Sequence, residues 1–129
     1  METVQPARSL HSILVVEDDH VAIDILGLMI KKKFPDFEIH TAENGLKGLE
    51  LFKRYRPDIV LTDINMPEMN GMDMAAEIRS MDPDTKFIVL TAYNDLAFFE
   101  KFKEIGFVAY ILKPIEFKKL FVAIEKCIS

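Results

Sequence analysis

Five short runs rich in β-formers alternate with longer segments of helical spacing, and that alternation restricts the chain to few architectures. The runs are Ile13–Val16, Phe37–Thr41, Asp58–Thr62, Lys86–Leu90 and Val108–Leu112. Between them apolar residues recur every three to four positions, the period of a helix with one buried face. Ala22, Ile25/Leu26 and Met29/Ile30 mark the first segment, and Leu46, Leu49 and Phe52 the second. Met74, Ala75 and Ile78 mark the third, which runs from Met72 to Met81. Residues 96–105 form the fourth, and Phe117, Leu120/Phe121, Ile124 and Ile128 the fifth. Pro35, Pro57 and Pro83 fall where a helix should have ended and a strand should follow. Asn44 and Asp95 suit helix N-caps, and Gly106 suits a left-handed residue after the fourth helix.

Strands that alternate strictly with helices are joined by right-handed crossovers and lie parallel. The runs ILVV and DIVL are continuously apolar, as required when helices cover both faces of a sheet. The second run is more polar and suits an edge. The expected fold is α/β: a doubly wound (βα)5 three-layer sandwich on a five-stranded parallel sheet, with 2-1-3-4-5 the leading strand order. In such sheets ligands bind outside the carboxyl ends of the strands, near the switch in strand order.

A chain of 129 residues suits one domain able to bury a core without metal or disulfide staples. Residues 1–10 show no period and are expected to form a flexible tail, leaving 11–129 as the domain. The net charge is −5 and no basic run exceeds Lys31–Lys33, which argues against direct nucleic-acid binding by this segment. Cys127 stands alone, too few cysteines for a disulfide framework, and reads as a small core hydrophobe. No apolar run approaches the roughly 20 residues needed to span a bilayer, and residues 1–10 lack a signal-peptide core. A cytoplasmic location and no membrane association are expected.

The polar residues at the strand ends carry the chemistry. Strand one runs into Glu17-Asp18-Asp19, strand three into Asp63, strand four into Thr91 and strand five into Lys113-Pro114. Two carboxylates about 4 Å apart repel by roughly 4 kcal/mol at an effective dielectric near 20. Holding Glu17, Asp18 and Asp63 together therefore calls for a cation, a raised pKa, or both. A hard divalent ion with oxygen ligands, Mg2+ before others, is the natural counter-charge, and the absence of Cys or His at these strand ends argues against zinc. Lys113 could serve a phosphate oxygen or Asp63 itself, and Thr91 offers a hydroxyl donor. Any one of these residues alone has an ordinary structural explanation, such as Asp18 or Asp19 capping the first helix. Together they describe phosphoryl transfer to an aspartate.

These segments resemble the receiver domains of two-component response regulators, which share the flavodoxin-like order. ILVVEDD looks like the family's acidic first-strand motif, IVLTDINMPEMNG its phosphoacceptor segment, VLTA its switch-hydroxyl segment and YILKP its lysine segment. The resemblance covers residues 11–128. It implies that Asp63 accepts a phosphoryl group from a histidine kinase or histidine phosphotransfer protein. Asp18 would ligate Mg2+ (Mn2+ able to substitute), Glu17 would assist, and Asn65 would contribute its backbone carbonyl. Thr91 and Lys113 would contact the phosphoryl group, with Tyr110 the aromatic switch. A cis Lys113-Pro114 bond is implied, with Met66-Pro67 and Gly71 shaping the loop after Asp63, Gly71 through a backbone geometry other residues resist. The helix-four, strand-five, helix-five surface would engage an effector or a second copy.

The resemblance also implies a protein that assists its own phosphorylation and dephosphorylation without turning over a separate substrate. Glu17 stands where many members carry Asp, Asp19 falls one place beyond the acidic pair and is expected to be peripheral, and Gly106-Phe107-Val108 is bulkier than usual. Two other readings compete: a receiver-fold interaction module that is not phosphorylated, and a phosphatase working through an aspartyl phosphate. Asp63-Ile64-Asn65 superficially resembles a dehalogenase-superfamily nucleophile motif, but Asn65 replaces its second acid. Phe98, Phe99 and Phe102 crowd helix four. Phe98 and Phe102 share a face, and Phe99 either joins a wide buried face or serves a partner surface.

Overall fold

The computed structural model describes residues 11–66, 68–92 and 96–129, with the Leu96 side chain left out. The expected tail at 1–10, Pro67 and the Asp95 cap lie outside the described residues. Five strands alternate with five helices: β1 Ser12–Val16, α1 His20–Lys33, β2 Glu38–Ala42, α2 Gly45–Tyr55, β3 Ile59–Asp63, α3 Gly71–Met81, β4 Lys86–Thr91, α4 Leu96–Ile105, β5 Ala109–Leu112 and α5 Phe117–Ile128. The strands form one parallel sheet in the order β2-β1-β3-β4-β5, as expected.

Side-chain alternation along each strand assigns residues to the two faces of the sheet. Ile13, Val15, Ile59 and Leu61 pack with Leu26 and Ile30 of α1 and Leu120 and Ile124 of α5. Leu14, Val16, Val60 and Val89 point the other way, toward Phe52 of α2, Met74 and Ile78 of α3, and Phe102 of α4. The central strands are therefore buried on both sides, which explains their unbroken apolar runs. β2 carries exposed or half-exposed residues at four of its five positions, as an edge strand does.

Local signals fix the helix ends. Asp19 caps α1 by accepting from the backbone of Val21 and Ala22, Asn44 caps α2, and Asn70 caps α3. Gly106 follows α4 with φ 97°, a left-handed position where glycine is the natural residue. Two helices are rotated slightly from the stripes that apolar spacing suggests. Ile25 and Leu46 are largely exposed, while Ile23 faces the core. Spacing narrows each stripe to neighbouring positions without choosing between them: at Ile25/Leu26 it is Leu26 that is buried. Phe37 also falls outside β2 and packs its ring on Phe34.

Helix α4 divides its aromatic cluster unevenly between core and surface. Phe102 is fully buried, but Phe98 is 39% exposed although it shares the same helical face. Phe99 lies against the rings of Phe107 and Tyr110, at 5.4 and 4.7 Å between centroids. The bulky turn at Phe107 supplies the surface that half-buries Phe99, so Phe98 is the more exposed ring.

Candidate functional site

Register brings the polar strand ends to one rim of the sheet. Val16 lies beside Thr62, Asp63 beside Leu90, and Thr91 beside Leu112. Asp63 and Thr91 are the last residues of β3 and β4, and Glu17 and Lys113 directly follow β1 and β5. Glu17 donates its backbone N–H to Ala42, and Lys113 donates its own to the Thr91 carbonyl at 2.8 Å. The Lys113-Pro114 peptide is cis.

Lys113 reaches across this rim. Its Nζ lies 2.7 Å from Asp63 Oδ2 and 3.0 Å from Glu17 Oε1. The remaining carboxylate oxygens are also held. Asp63 Oδ1 accepts from the Ile64 N–H at 2.8 Å, and Glu17 Oε2 accepts from the Asp19 N–H at 3.1 Å. Asp63 and Glu17 are almost fully buried, whereas Asp18 is exposed. Carboxylate oxygens of Glu17, Asp18 and Asp63 lie within 4.8 Å of one another.

That crowding perturbs the ionisation of the group. Burial pushes the Glu17 carboxyl above its usual range, and the nearby Asp63 charge pushes it further, with Lys113 opposing both. Burial likewise raises Asp63, against the pull of Lys113. For Lys113, burial favours the neutral amine, but the two carboxylates outweigh it and hold the ammonium above its ordinary value. Three oxygen-donor acids around one lysine suit a hard divalent cation: the donors are carboxylates, one side is open to solvent at Asp18, and one ammonium leaves the cluster short of positive charge.

Thr91 is fully buried, its hydroxyl 3.3 Å from the Ala92 carbonyl. Asn65 is exposed in the loop after Asp63. Tyr110 is 51% exposed on β5, its ring against Phe99 and Phe107. Asp19 stays outside the carboxylate cluster with its side chain committed to the α1 cap, but its backbone N–H orients Glu17.

The expected role of Gly71 needs correcting. Gly106 is the positive-φ glycine among the described residues, so Gly71 does not serve an unusual backbone angle. A β-carbon at 71 would collide with the Asp63 carbonyl oxygen and lie 2.9 Å from the Thr62 hydroxyl. Space against the end of β3 is the constraint. No sequence motif announces such a contact, nor the Thr62 hydroxyl donating to the Asp63 carbonyl at 2.8 Å.

Among the described residues, no helix is long and apolar enough to cross a membrane.

Known proteins resemble this chain in sequence and fold. The family described as the response regulator receiver domain matches residues 13–125. The sporulation initiation phosphotransferase F of Bacillus subtilis (strain 168) is 29% identical over 88% of this chain and 90% of its own length. The regulatory protein AtoC of Escherichia coli (strain K12) is 33% identical over 94% of this chain but only 26% of its own length. The chain thus spans half or less of several curated regulators that it matches. A response regulator receiver domain protein from Clostridium thermocellum superposes with a TM-score of 0.85 at 29% identity, covering 92% of this chain and 94% of that one. With its sheet order, its acidic rim and a family match over nearly its whole length, this chain belongs to the response regulator receiver domain family of two-component systems.

Proposed function

We propose that Asp63 accepts a phosphoryl group from the phosphohistidine of a histidine kinase or phosphotransfer protein. The observation that carries this reading is the position of Asp63: almost buried, 2.7 Å from Lys113, and within a carboxylate cluster suited to a divalent ion. A carboxylate oxygen of Asp63 attacks phosphorus in line, the P–N bond breaks, and its electron pair leaves with the imidazole. Lys113 neutralises charge on the transferring group, and Thr91 donates its hydroxyl to a phosphoryl oxygen. Mg2+, with Mn2+ able to substitute, would be held by Asp18, Asp63 and the Asn65 backbone carbonyl with help from Glu17. It would supply charge neutralisation between acceptor and donor.

The acyl phosphate adds negative charge beside buried groups. Thr91 moves toward it, and Tyr110, half exposed against Phe99 and Phe107, follows inward. The α4-β5-α5 surface thereby changes its affinity for an effector or a second copy. The name of the Bacillus relative, a phosphotransferase, is in keeping with passage of the group onward.

The test is labelling by acetyl phosphate with Mg2+. Asp63→Asn should abolish acid-stable, hydroxylamine-labile phosphate on the protein. Undiminished labelling in that variant would remove Asp63 from the role, and a wild type that never labels would favour the unphosphorylated interaction module.

A further inference from the structure

Between β3 and α3, on either side of Asn65, the described residues Ile64 and Met69 are each held by a glycine at the start of a different helix. At the α3 end, Gly71 donates its N–H to the Ile64 carbonyl at 2.8 Å and lies against the Asp63 backbone. At the far side, the Gly45 N–H donates to the Met69 carbonyl at 3.0 Å. Gly45 is the first residue of α2, so this N–H has no partner within its own helix. It is spent on the loop. The approach is too close for any side chain: a β-carbon at 45 would collide with the Met69 carbonyl oxygen and lie 2.8 Å from its carbon and 2.9 Å from the Met69 β-carbon. Both partners in this clash are stiff, one a helix end capped by Asn44 and the other a backbone carbonyl. Glu68, the residue before Met69, has a left-handed φ of 67°, a conformation costly for glutamate unless its surroundings enforce it.

We infer that Gly45 is a positioning residue for the phosphorylation site. It latches the loop that carries Asn65 to the N-terminus of α2, and the latched loop is the form that holds the divalent ion. The inference rests on the reading of Glu17, Asp18, Asp63 and Asn65 as the metal site. Gly45 touches none of those groups; it acts through the backbone of Met69. A side chain at 45 displaces the loop and leaves the Asn65 carbonyl out of place, while Asp63, Lys113 and Glu17, fixed by strand ends, stay where they are. Coupling between two sites is reciprocal, so an ion that prefers the latched loop must tighten the latch by the same factor.

Two measurements test this. The first is Mg2+ affinity by calorimetry for the wild type, Gly45→Ala and Gly27→Ala. Gly27 sits in α1, where an added β-carbon would meet nothing within 4 Å, so it reports the intrinsic effect of the same chemical change in a helix. Gly45→Ala should raise the Mg2+ dissociation constant at least tenfold with its helix content intact, and Gly27→Ala should leave it unchanged. The second uses only the wild type and needs no variant to fold: saturating Mg2+ should slow hydrogen exchange at the Gly45 amide by about the same factor. Equal Mg2+ affinity in folded Gly45→Ala, or Gly45 exchange indifferent to Mg2+, overturns the latch while leaving the metal site standing. A wild type that binds no Mg2+ overturns the site and the latch together.

Discussion

Lys113 places one ammonium between two buried carboxylates, and a third carboxylate stands within reach of the same point. The arithmetic of charge leaves this cluster anionic. Asp63 is raised chiefly by burial, with a smaller push from the Asp18 charge, and the two outweigh the help it receives from Lys113 and the Ile64 N–H. Its ionised form is therefore disfavoured by folding. An uncharged isostere should relieve that penalty, even though it weakens the bond to Lys113. Asp63→Asn is expected to be more stable than the wild type in the absence of divalent ions, by about 1 kcal/mol, which for a domain of this size raises the melting temperature by roughly 3–5 °C. Added Mg2+ should narrow the gap by stabilising the wild type alone. A melting temperature for Asp63→Asn below that of the metal-free wild type would mean that the lysine pair outweighs the crowding. The identities of these residues are legible in the sequence because each stands where an apolar strand ends. The division of labour among their oxygens is not, since it depends on backbone N–H groups at Ile64 and Asp19 that carry no side-chain signal.

At the scale of elements, α4 illustrates what periodicity can and cannot supply. Its existence and length follow from the spacing of residues 96–105, but not which aromatic faces water. That depends on Phe107 in the next turn, and on the way the helix end is tied down. Arg79 of α3 does the tying. Its Nε and Nη2 donate to the carbonyls of Ile105 and Gly106 at 3.1 and 3.2 Å, and Nη1 donates to those of Pro83 and Thr85 at 2.6 and 2.7 Å. The guanidinium also lies over the Phe87 ring at 4.9 Å. One planar fork thus satisfies the loops before β4 and after α4 together, a task a lysine ammonium cannot perform. Arg79→Met should cost about 2–3 kcal/mol, and Arg79→Lys should recover less than half of that, measured as urea midpoints at constant slope. Full recovery by lysine would show that charge alone suffices there. In the sequence Arg79 is one basic residue near a helix end; its partners are carbonyls 4 to 27 positions away, which no pattern of residue types encodes.

The whole molecule places its chemistry and its one cysteine at opposite ends of the sheet. Cys127 is buried near the end of α5, close to Asp58 and Lys86 where β3 and β4 begin, while the carboxylate cluster sits where the strands finish. Burial pushes the thiol from an ordinary 9.0 up to about 11, with Lys86 pulling it back only in part. The folded state therefore favours the neutral thiol. Its contribution to stability is complete below about pH 9 and is lost as pH rises through about 11. At pH 8 alkylation of Cys127 must wait for an opening that exposes it, because the thiolate is the reacting form. The two core layers share the central strands β1, β3 and β4, so that opening should be global rather than a fraying of α5. Ligand bound at the far rim then protects the thiol through the folding equilibrium alone. Mg2+ with beryllofluoride at about 100 times the dissociation constant stabilises the fold by about 2.7 kcal/mol, and under conditions where reclosing outpaces labelling it should slow alkylation roughly 100-fold. Labelling indifferent to the ligand would mean that α5 opens by itself, and that the two ends of this domain are energetically separate.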